Sequence, residues 1–315
     1  MSRTDTEVTT LDEAARAGWL SYVAGMTQDQ IATELGVSRQ RVQRLISRAM
    51  SEGLIRVRLD HRIGACLRLE AEIARRFGLL ECRVAPAVGT GDAARAVGGI
   101  AAAVFERYLS RPEPQVIAVG TGRALRWMAD ELQPQPCDRH RIVSLIGNIA
   151  PDGSASFFDV LMRIADKLGA PHYPMPVPVI SETKAERDAF HALRPVRAVL
   201  DLAAQADVCF VGIGQMGTDA PLYRDGFITR AELAEVQAQG AAGEVTGNIF
   251  DGEGRYLDAA ISARMGGVRI APNRPGPVVG IAAGANKVAA IRAALTGRIV
   301  NGLVTDEPTA EALLY

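Results

Sequence analysis

The 315-residue chain is long enough for a small domain and a larger one, and its composition, 48% hydrophobic and 23% charged with a net charge of −1, is that of a globular protein. The apolar stretches fall short of the roughly 18 residues that a membrane helix needs, and the N-terminus lacks the apolar core of a signal peptide, which predicts a cytoplasmic protein. The four cysteines and four histidines show neither CxxC nor HExxH spacing, so a disulfide framework, a zinc site and metal catalysis are disfavoured, and no cofactor is predicted.

The first predicted elements are two helices joined by a short turn. Thr27 is a good N-cap with Gln30 three residues later, and Gly36 marks the end of that helix. Ser38 caps a second helix, whose apolar residues recur at helical spacing and predict one buried stripe. The pattern is typical of a helix-turn-helix motif, and its alternative is a purely structural helical hairpin.

The side chains predicted to point away from this stripe are mostly glutamines and arginines. Such side chains read adenine and guanine in the major groove, and flanking arginines contact phosphates. Residues 36–62 hold seven arginines against two carboxylates, a cationic patch on a nearly neutral chain. The alternating run EGLIRVRLD at residues 52–60 predicts a β-wing along DNA. The predicted DNA-binding residues are Gln28, Ser38, Arg39, Gln40, Arg41, Gln43, Arg44, Arg48 and Arg56.

The rest of the chain predicts a second, larger domain. Residues 67–79 form an amphipathic helix that either links the two domains or opens the larger one. From residue 81 onward, short apolar strands alternate with amphipathic helices, which predicts an α/β domain with a parallel sheet covered on both faces. The predicted division is a helix-turn-helix domain with a short wing at residues 1–60, a linker helix at 61–80 and an effector-binding domain at 81–315.

Glycines and polar residues cluster where the predicted strands end. In open parallel sheets, ligands bind beyond the carboxyl ends of the strands. The sequence AVGTGRAL at residues 118–125 places glycines between a strand and a helix, where backbone amides and the helix N-terminus favour an anion. Other strand ends carry Asn148, Asp152, Gln215 and Lys287. This chemistry suits a small polar anionic ligand such as a sugar phosphate. A dinucleotide fits less well, because the third glycine of GxGxxG is missing.

The helix-turn-helix, the linker helix and the strand ends VGTGRAL, LIGN, ADVCFVGIG, GNIFDGEGR, AAGANKVAAI and GLVTDEPTAEALL resemble the SorC family of bacterial sugar-responsive transcriptional regulators, from about residue 10 to the end. The resemblance implies an N-terminal domain that binds operator DNA. It also implies a Rossmann-like α/β domain, similar to sugar-phosphate isomerases and glucosamine-6-phosphate deaminase, that binds a phosphorylated sugar or a related metabolite. Members of the family are commonly tetramers, so a homo-oligomer, a dimer of dimers, is expected.

The resemblance also places a pocket on this sequence. It implies an anion-binding loop at residues 120–124, with further lining residues after later strands. Ala124 stands where many members carry a hydroxyl residue, so an unphosphorylated sugar or polyol stays open as the effector. The predicted effector-binding residues are Gly120, Thr121, Gly122, Arg123, Ala124, Gly147, Asn148, Asp152, Gly214, Gln215, Asp251 and Lys287.

The catalytic groups of the related enzymes are missing. Thr218 follows GIGQMG where the deaminases carry a histidine, and the acidic DGADE run of ribose-5-phosphate isomerases is absent, so no catalytic residue is predicted. The sequence therefore predicts a non-enzymatic DNA-binding regulator of a carbohydrate catabolic operon, controlled by a sugar, polyol or sugar phosphate. The alternatives are a sugar-phosphate isomerase or deaminase with an appended DNA-binding domain, and a nicotinamide-dependent reductase.

Overall fold

The computed structural model describes residues 3–55, 64–87, 92–155 and 160–315, with side chains from residue 10 onward. The chain divides into two units, Met1–His61 and Arg62–Tyr315. The helices are α1 Arg3–Tyr22, α2 Gln28–Leu35, α3 Arg39–Ser51, α4 Gly64–Phe77, α5 Ala93–Ala96, α6 Gly98–Leu109, α7 Arg123–Glu131, α8 Val160–Leu168, α9 Lys184–Ala192, α10 Arg194–Ala204, α11 Pro221–Arg224, α12 Arg230–Ala238, α13 Val288–Thr296 and α14 Glu307–Leu314. The strands are β1 Glu81–Ala85, β2 Val116–Val119, β3 Arg141–Ile149, β4 His172–Pro178, β5 Val208–Gly212, β6 Gly214–Gln215, β7 Ala241–Val245, β8 Asn248–Asp251, β9 Val278–Ile281 and β10 Gly302–Asp306.

The first unit is a compact arrangement of α1, α2 and α3. The predicted capping box is confirmed, because the Thr27 hydroxyl accepts from the Gln30 amide and the Gln30 side chain accepts from the Thr27 amide. Gly36 ends α2 with a φ of 65°, a left-handed conformation that glycine adopts without strain. Ser38 then caps α3. The predicted stripe of α3 packs against α1, a helix that the sequence pattern did not predict, and the core residues are Ala14, Ala17, Leu20, Ile31, Val42, Leu45 and Ala49.

The larger unit is built on a parallel sheet with the strand order β1-β10-β9-β5-β2-β3-β4. All four residues of β2 are buried, as expected for a strand covered on both faces. Val116 and Ala118 belong to the core that includes α4, α10, α13 and α14. Ile117 and Val119 belong to the opposite core, which includes α6, α7 and α8. The predicted three-layer α/β architecture is confirmed.

An antiparallel sheet of β6, β7 and β8 adjoins this layer structure. The hairpin of β7 and β8 turns at Thr246 and Gly247, and both residues have positive φ. Its outer side packs in a separate core with residues of α11 and α12, including Leu222, Leu233 and Ile249. The sequence pattern predicted neither this hairpin nor the edge strand β4.

The helix predicted at residues 61–80 corresponds to α4 and belongs to the larger unit. Ile73 is fully buried in the same core as residues of β1 and α14. The Glu70 carboxylate accepts a hydrogen bond of 3.1 Å from the Val84 amide of β1. The apolar stripe of α4 thus packs on the sheet. The helix is the first helix of the larger unit, which was the second of the two alternatives for residues 67–79.

Two further expectations concern composition. All four cysteines are buried free thiols, as predicted from their spacing. Among the helices that the structure describes, none has the length and apolar character needed to cross a membrane.

Candidate functional site

The outward face of α3 presents the predicted base-reading side chains to solvent. Gln40, Gln43 and Arg44 are exposed, whereas Val42 and Leu45 on the opposite face are buried. Ser38 and Arg41 are also exposed at the start of the helix, and Gln28 lies partly buried in the first turn of α2. Apolar packing therefore uses one face of α3 and leaves its polar face available to a major groove.

The arginines of α3 differ in their partners. Three of them pair with carboxylates: Arg39 with Asp29 at 3.3 Å, Arg41 with Glu13 at 2.8 Å, and Arg48 with Glu52 at 3.7 Å. Such exposed pairs are worth about 0–1 kcal/mol each, so a phosphate group can replace the carboxylate at little cost. Arg44 makes no ion pair or hydrogen bond with any residue that the structure describes. Its guanidinium is thus the one on α3 best suited to read a base. The predicted wing spans residues 52–60, and its residues 56–60, including Arg56, lie outside the described residues.

A cavity of about 310 Å³, lined by both apolar and polar residues, opens beyond the carboxyl ends of β2, β5 and β9 in the larger unit. Within the parallel sheet, β2 is followed by β3 on one side, whereas β5 is followed by β9 on the other side. The strand order therefore reverses between β2 and β5, and the cavity lies at this switch point, where such folds bind ligands. The lining residues with polar side chains are Asp92, Thr121, Arg123, Gln215, Asp219, Arg224, Asp225, Glu244, Thr246, Asn286 and Lys287.

The predicted anion-binding loop lines this cavity at the start of α7. Gly122 has a φ of 122° and a ψ of 170°, a conformation that favours glycine, and no side chain caps the helix. The first amides of α7 therefore lack a side-chain cap and lie at the positive end of the helix dipole. Gly120, Thr121, Arg123 and Ala124 line the same cavity, so the structure brings the whole predicted loop together.

A second glycine turn reaches the cavity from β9. Gly284 has a φ of 120° and precedes the short 3₁₀ helix Ala285–Lys287 that leads into α13. Its amide donates a 2.8 Å hydrogen bond to the hydroxyl of Thr309, a buried residue of α14. The turn that carries Lys287 into the cavity is thereby fixed to the C-terminal helix.

Lys287 and Glu244 are lining residues of opposite charge whose pKa values are both shifted. Burial lowers the pKa of Lys287, and the nearby Glu244 carboxylate opposes this effect. Burial raises the pKa of Glu244, against the hydrogen bond of 2.8 Å from the Gly247 amide and the charge of Lys287. The Lys287 ammonium donates to the Ile213 carbonyl at 2.9 Å. Perturbed groups of opposite charge in a cavity are typical of a ligand site.

Two contacts tie the strand ends to the segment around α11. The Arg123 Nη2 donates to Asp225 Oδ1 at 3.1 Å. The Gln215 Nε2 donates to Asp219 Oδ1 at 2.9 Å, and Gly214 lines the cavity beside it. Residues of the segment 219–227 therefore line the cavity together with the strand ends.

Four predicted effector-binding residues lie outside the lining. Gly147 is needed for packing, because a Cβ there would lie 2.4 Å from the Val177 carbonyl oxygen of β4. Asn148 follows it in β3, with its Oδ1 buried and without a hydrogen bond from the described residues. Asp152 is exposed and accepts from the amide and hydroxyl of Ser154, so it stabilises a turn. The structure does not bring these residues to the cavity.

Asp251 is the fourth, and it also stabilises a turn. It accepts hydrogen bonds from the amides of Glu253 and Arg255 at 3.0 and 2.9 Å and from the Arg255 guanidinium at 3.0 Å. Burial raises the pKa of Asp251, but these hydrogen bonds outweigh it and hold the pKa below its ordinary value. The carboxylate is thus occupied by its own turn.

Replacing Asp251 by asparagine is expected to destabilise the larger unit by about 1–2 kcal/mol at pH 7, because charge-assisted hydrogen bonds are lost. The folded-state pKa is depressed, so this contribution is present above the unfolded pKa, near 3.9, and is lost as the pH falls through the folded value. Urea unfolding of both proteins at pH 7 and pH 3.5 measures the difference, which should shrink at the lower pH. Unchanged stability together with weakened effector binding would instead place Asp251 in the site.

Sequence reasoning missed several lining residues. Asp92, Glu244, Thr246 and Asp225 were not predicted, although each lines the cavity. Glu244 lies in β7, AAGEV, whose run of small residues gave no strand signal. The carboxylates in the polar segment around residues 219–225 were the sequence signal that could have indicated part of this lining.

Comparison with known proteins agrees with this construction. The family model described as a sugar-binding domain matches residues 61–315, and that of a homeodomain-like domain matches residues 10–58. The erythritol catabolism regulatory protein EryD of Brucella abortus is 36% identical over 302 residues, which cover 96% of this chain and 96% of EryD. The transcriptional regulator LsrR of Klebsiella pneumoniae is 33% identical over 308 residues, which cover 95% of this chain and 92% of LsrR. The crystal structure of the full-length sorbitol operon regulator SorC from Klebsiella pneumoniae matches with a TM-score of 0.74 and 28% identity, covering 96% of this chain and 98% of SorC.

A helix-turn-helix unit followed by an α/β unit with a cavity at its switch point defines a ligand-responsive DNA-binding regulator. The chain belongs to the SorC family of sugar-binding transcriptional regulators. The prediction of a transcriptional regulator is confirmed, because these relatives are named as regulators. The same relatives give no support to an isomerase, a deaminase or a reductase.

Proposed function

We propose that this regulator binds a pseudo-palindromic or repeated operator through α3 and changes its operator affinity when a small sugar, polyol or sugar phosphate enters the cavity of the larger unit. The observation that carries the proposal is the exposed polar face of α3, with Arg44 unpaired among the described residues. Regulators of this type read half-sites about one helical turn apart as dimers.

In the proposed DNA complex, some residues of α3 contact bases, and the residues around them contact phosphates. Gln40, Gln43 and Arg44 contact base edges, because amide and guanidinium groups match adenine and guanine. Phosphate contacts come from the residues that flank this face and from the α3 N-terminus. They are Gln28, Ser38, Arg39, Arg41, Arg48 and Arg56.

The effector side rests on the chemistry of the cavity lining. Backbone amides at the glycine turns and Lys287 donate hydrogen bonds, whereas Glu244 and Asp219 accept them. A polyhydroxylated molecule offers both donors and acceptors, so it fits a lining of this kind. EryD is named for erythritol catabolism and SorC for the sorbitol operon, which supports a polyol or sugar effector and a carbohydrate catabolic operon as the target.

Assembly and location complete the proposal. We propose a homo-oligomer, a dimer of dimers, that works in the cytoplasm, where operator DNA and small metabolites are both accessible. Residues 1–60 supply DNA binding, residues 81–315 supply effector binding, and α4 connects the two functions.

The experiment takes the full chain and selects its binding sites from fragmented genomic DNA, followed by footprinting of the best fragment. Thermal unfolding with sugars, alditols and their phosphates then identifies the effector, because a ligand of the folded state raises the melting temperature. The proposal expects a repeated half-site protected from cleavage and an altered operator affinity with the stabilising compound. Equal affinity for operator and random DNA, or catalytic turnover of a sugar phosphate, would contradict it.

A further inference from the structure

The charge of the cavity lining carries information on the effector class. The charged lining residues among those described are three cations and four carboxylates: Arg123, Arg224 and Lys287, and Asp92, Asp219, Asp225 and Glu244. The lining therefore holds no excess of positive charge. A phosphate monoester brings a charge of about −1.5 to −2 at pH 7, and it would enter a cavity in which carboxylates are at least as numerous as cations.

The cation nearest the helix amides is already neutralised. Arg123 is the first residue of α7 and directly follows the glycine turn, at the position from which a guanidinium would clamp a phosphate. Its Nη2 instead lies 3.1 Å from Asp225 Oδ1, and the two side chains are 40% and 25% exposed. A phosphate at the amides of α7 would have to displace Asp225 from Arg123 or lie next to its negative charge.

A second cation of the lining already has a hydrogen-bond acceptor. The Lys287 ammonium donates to the Ile213 carbonyl at 2.9 Å, and the charge of the Glu244 carboxylate favours the ammonium form. Ala124 supplies no hydroxyl group to the loop. The uncapped amides of α7 accept a hydroxyl oxygen as well as a phosphate oxygen, so they do not decide between the two ligands.

An uncharged polyol meets the same lining without these costs. Each of its hydroxyl groups donates to one carboxylate and accepts from an amide, an ammonium or a guanidinium. Asp219 and Glu244 then act as acceptors, and the pair of Arg123 and Asp225 stays intact. The mixture of donors and acceptors is thus matched to hydroxyl groups.

We infer that Asp225, by holding Arg123, makes the cavity select an uncharged polyhydroxylated effector over the corresponding phosphate ester. This inference rests on the proposed function and narrows its effector class. Asp225 is in this account a specificity-determining residue, because its removal takes away the carboxylate that lies next to the Arg123 guanidinium.

Calorimetric titration of the full chain tests this selection with four- to six-carbon alditols and their terminal phosphate monoesters at matched ionic strength. The wild-type protein is expected to bind an alditol at least about tenfold more tightly than its ester. In Asp225→Asn and Asp225→Ala the ratio of alditol affinity to ester affinity, called the gap below, should shrink by about tenfold or more, mainly because the ester binds more tightly. The control is Asp188→Asn, which removes the same charge at the exposed pair of Asp188 and Lys184 on α9 and should leave the gap unchanged.

The outcomes separate the inference from the proposed function. Tighter binding of the ester by the wild-type protein, or an equal gap in wild type and both Asp225 variants, overturns the inference alone. If neither ligand class binds to any of the four proteins, the proposed effector class fails and the inference fails with it. Thermal unfolding of the two Asp225 variants shows whether either has lost its fold. If one variant melts at a much lower temperature than wild type, the other is used, because a changed ratio of alditol to ester affinity in one folded variant is enough to support the inference.

Discussion

Replacing Lys287 by alanine is expected to remove the response to the effector and to leave operator binding intact. Lys287 reaches the cavity from the glycine turn after β9, and its ammonium lies 2.9 Å from the Ile213 carbonyl oxygen. Loss of a charged, partly buried donor costs about 2–3 kcal/mol, which corresponds to a loss of roughly 30- to 150-fold in effector affinity. The residue belongs to the larger unit, so operator affinity without effector should change less than about twofold.

The measurement is operator binding by fluorescence anisotropy, with and without the stabilising compound, for wild type and variant. Lys184→Ala is the matched control, because Lys184 is exposed on α9 and pairs with Asp188 away from the cavity lining. Lys287→Met retains most of the side-chain volume and separates loss of charge from loss of packing. An unchanged effector affinity in Lys287→Met would exclude the lysine from the site.

Replacing Arg44 by alanine is expected to abolish sequence discrimination by the DNA-binding unit. Arg44 is exposed on the outward face of α3 and makes no ion pair with a described residue. A bidentate contact to guanine is worth about 1–3 kcal/mol, so operator affinity should fall by roughly 5- to 150-fold. Affinity for random DNA should change much less, because phosphate contacts provide most of it.

Arg48 provides the contrast on the same helix. Its guanidinium lies 3.7 Å from Glu52 on the flank of α3, where it is placed to contact a phosphate. Arg48→Ala should weaken operator and random DNA alike and should reduce the slope of affinity against salt concentration by about one ion. Titrations of both DNAs at several salt concentrations distinguish the variants. Equal losses on both DNAs for both variants would refute this division of roles.

The local signals in the sequence were sufficient for the helix-turn-helix. Thr27, Gly36 and Ser38 each act within three or four residues of chain, and the structure has all three in their predicted capping roles. Six of the seven strands of the parallel sheet were also predictable from sequence, because they are short, mostly apolar runs bounded by turn residues. The anion loop at Gly122 was predictable for the same reason, since its glycines directly join a strand to a helix.

The features that sequence missed depend on contacts between distant segments. Strand β4, HYPMPVP, contains three prolines, which are tolerated because the strand lies at the edge of the sheet. The pairing of Arg123 with Asp225 joins residues 102 positions apart, and no local pattern announces it. Asp152 and Asp251 were predicted to bind the effector because they lie at the ends of strands. Their carboxylates instead accept hydrogen bonds from residues of their own turns.

The most direct test compares two coupling factors in the full chain: the change in operator affinity at saturating effector, and the change in effector affinity at saturating operator. If the cavity controls DNA reading, the two factors must be equal by thermodynamic linkage and should fall in the range of about 5 to 150. At the effector concentration that saturates the wild-type protein, the operator affinity of the Lys287→Ala protein should stay close to its value without effector, because its effector affinity is lower. A compound that saturates the cavity of the wild-type protein and leaves operator affinity unchanged would contradict the account.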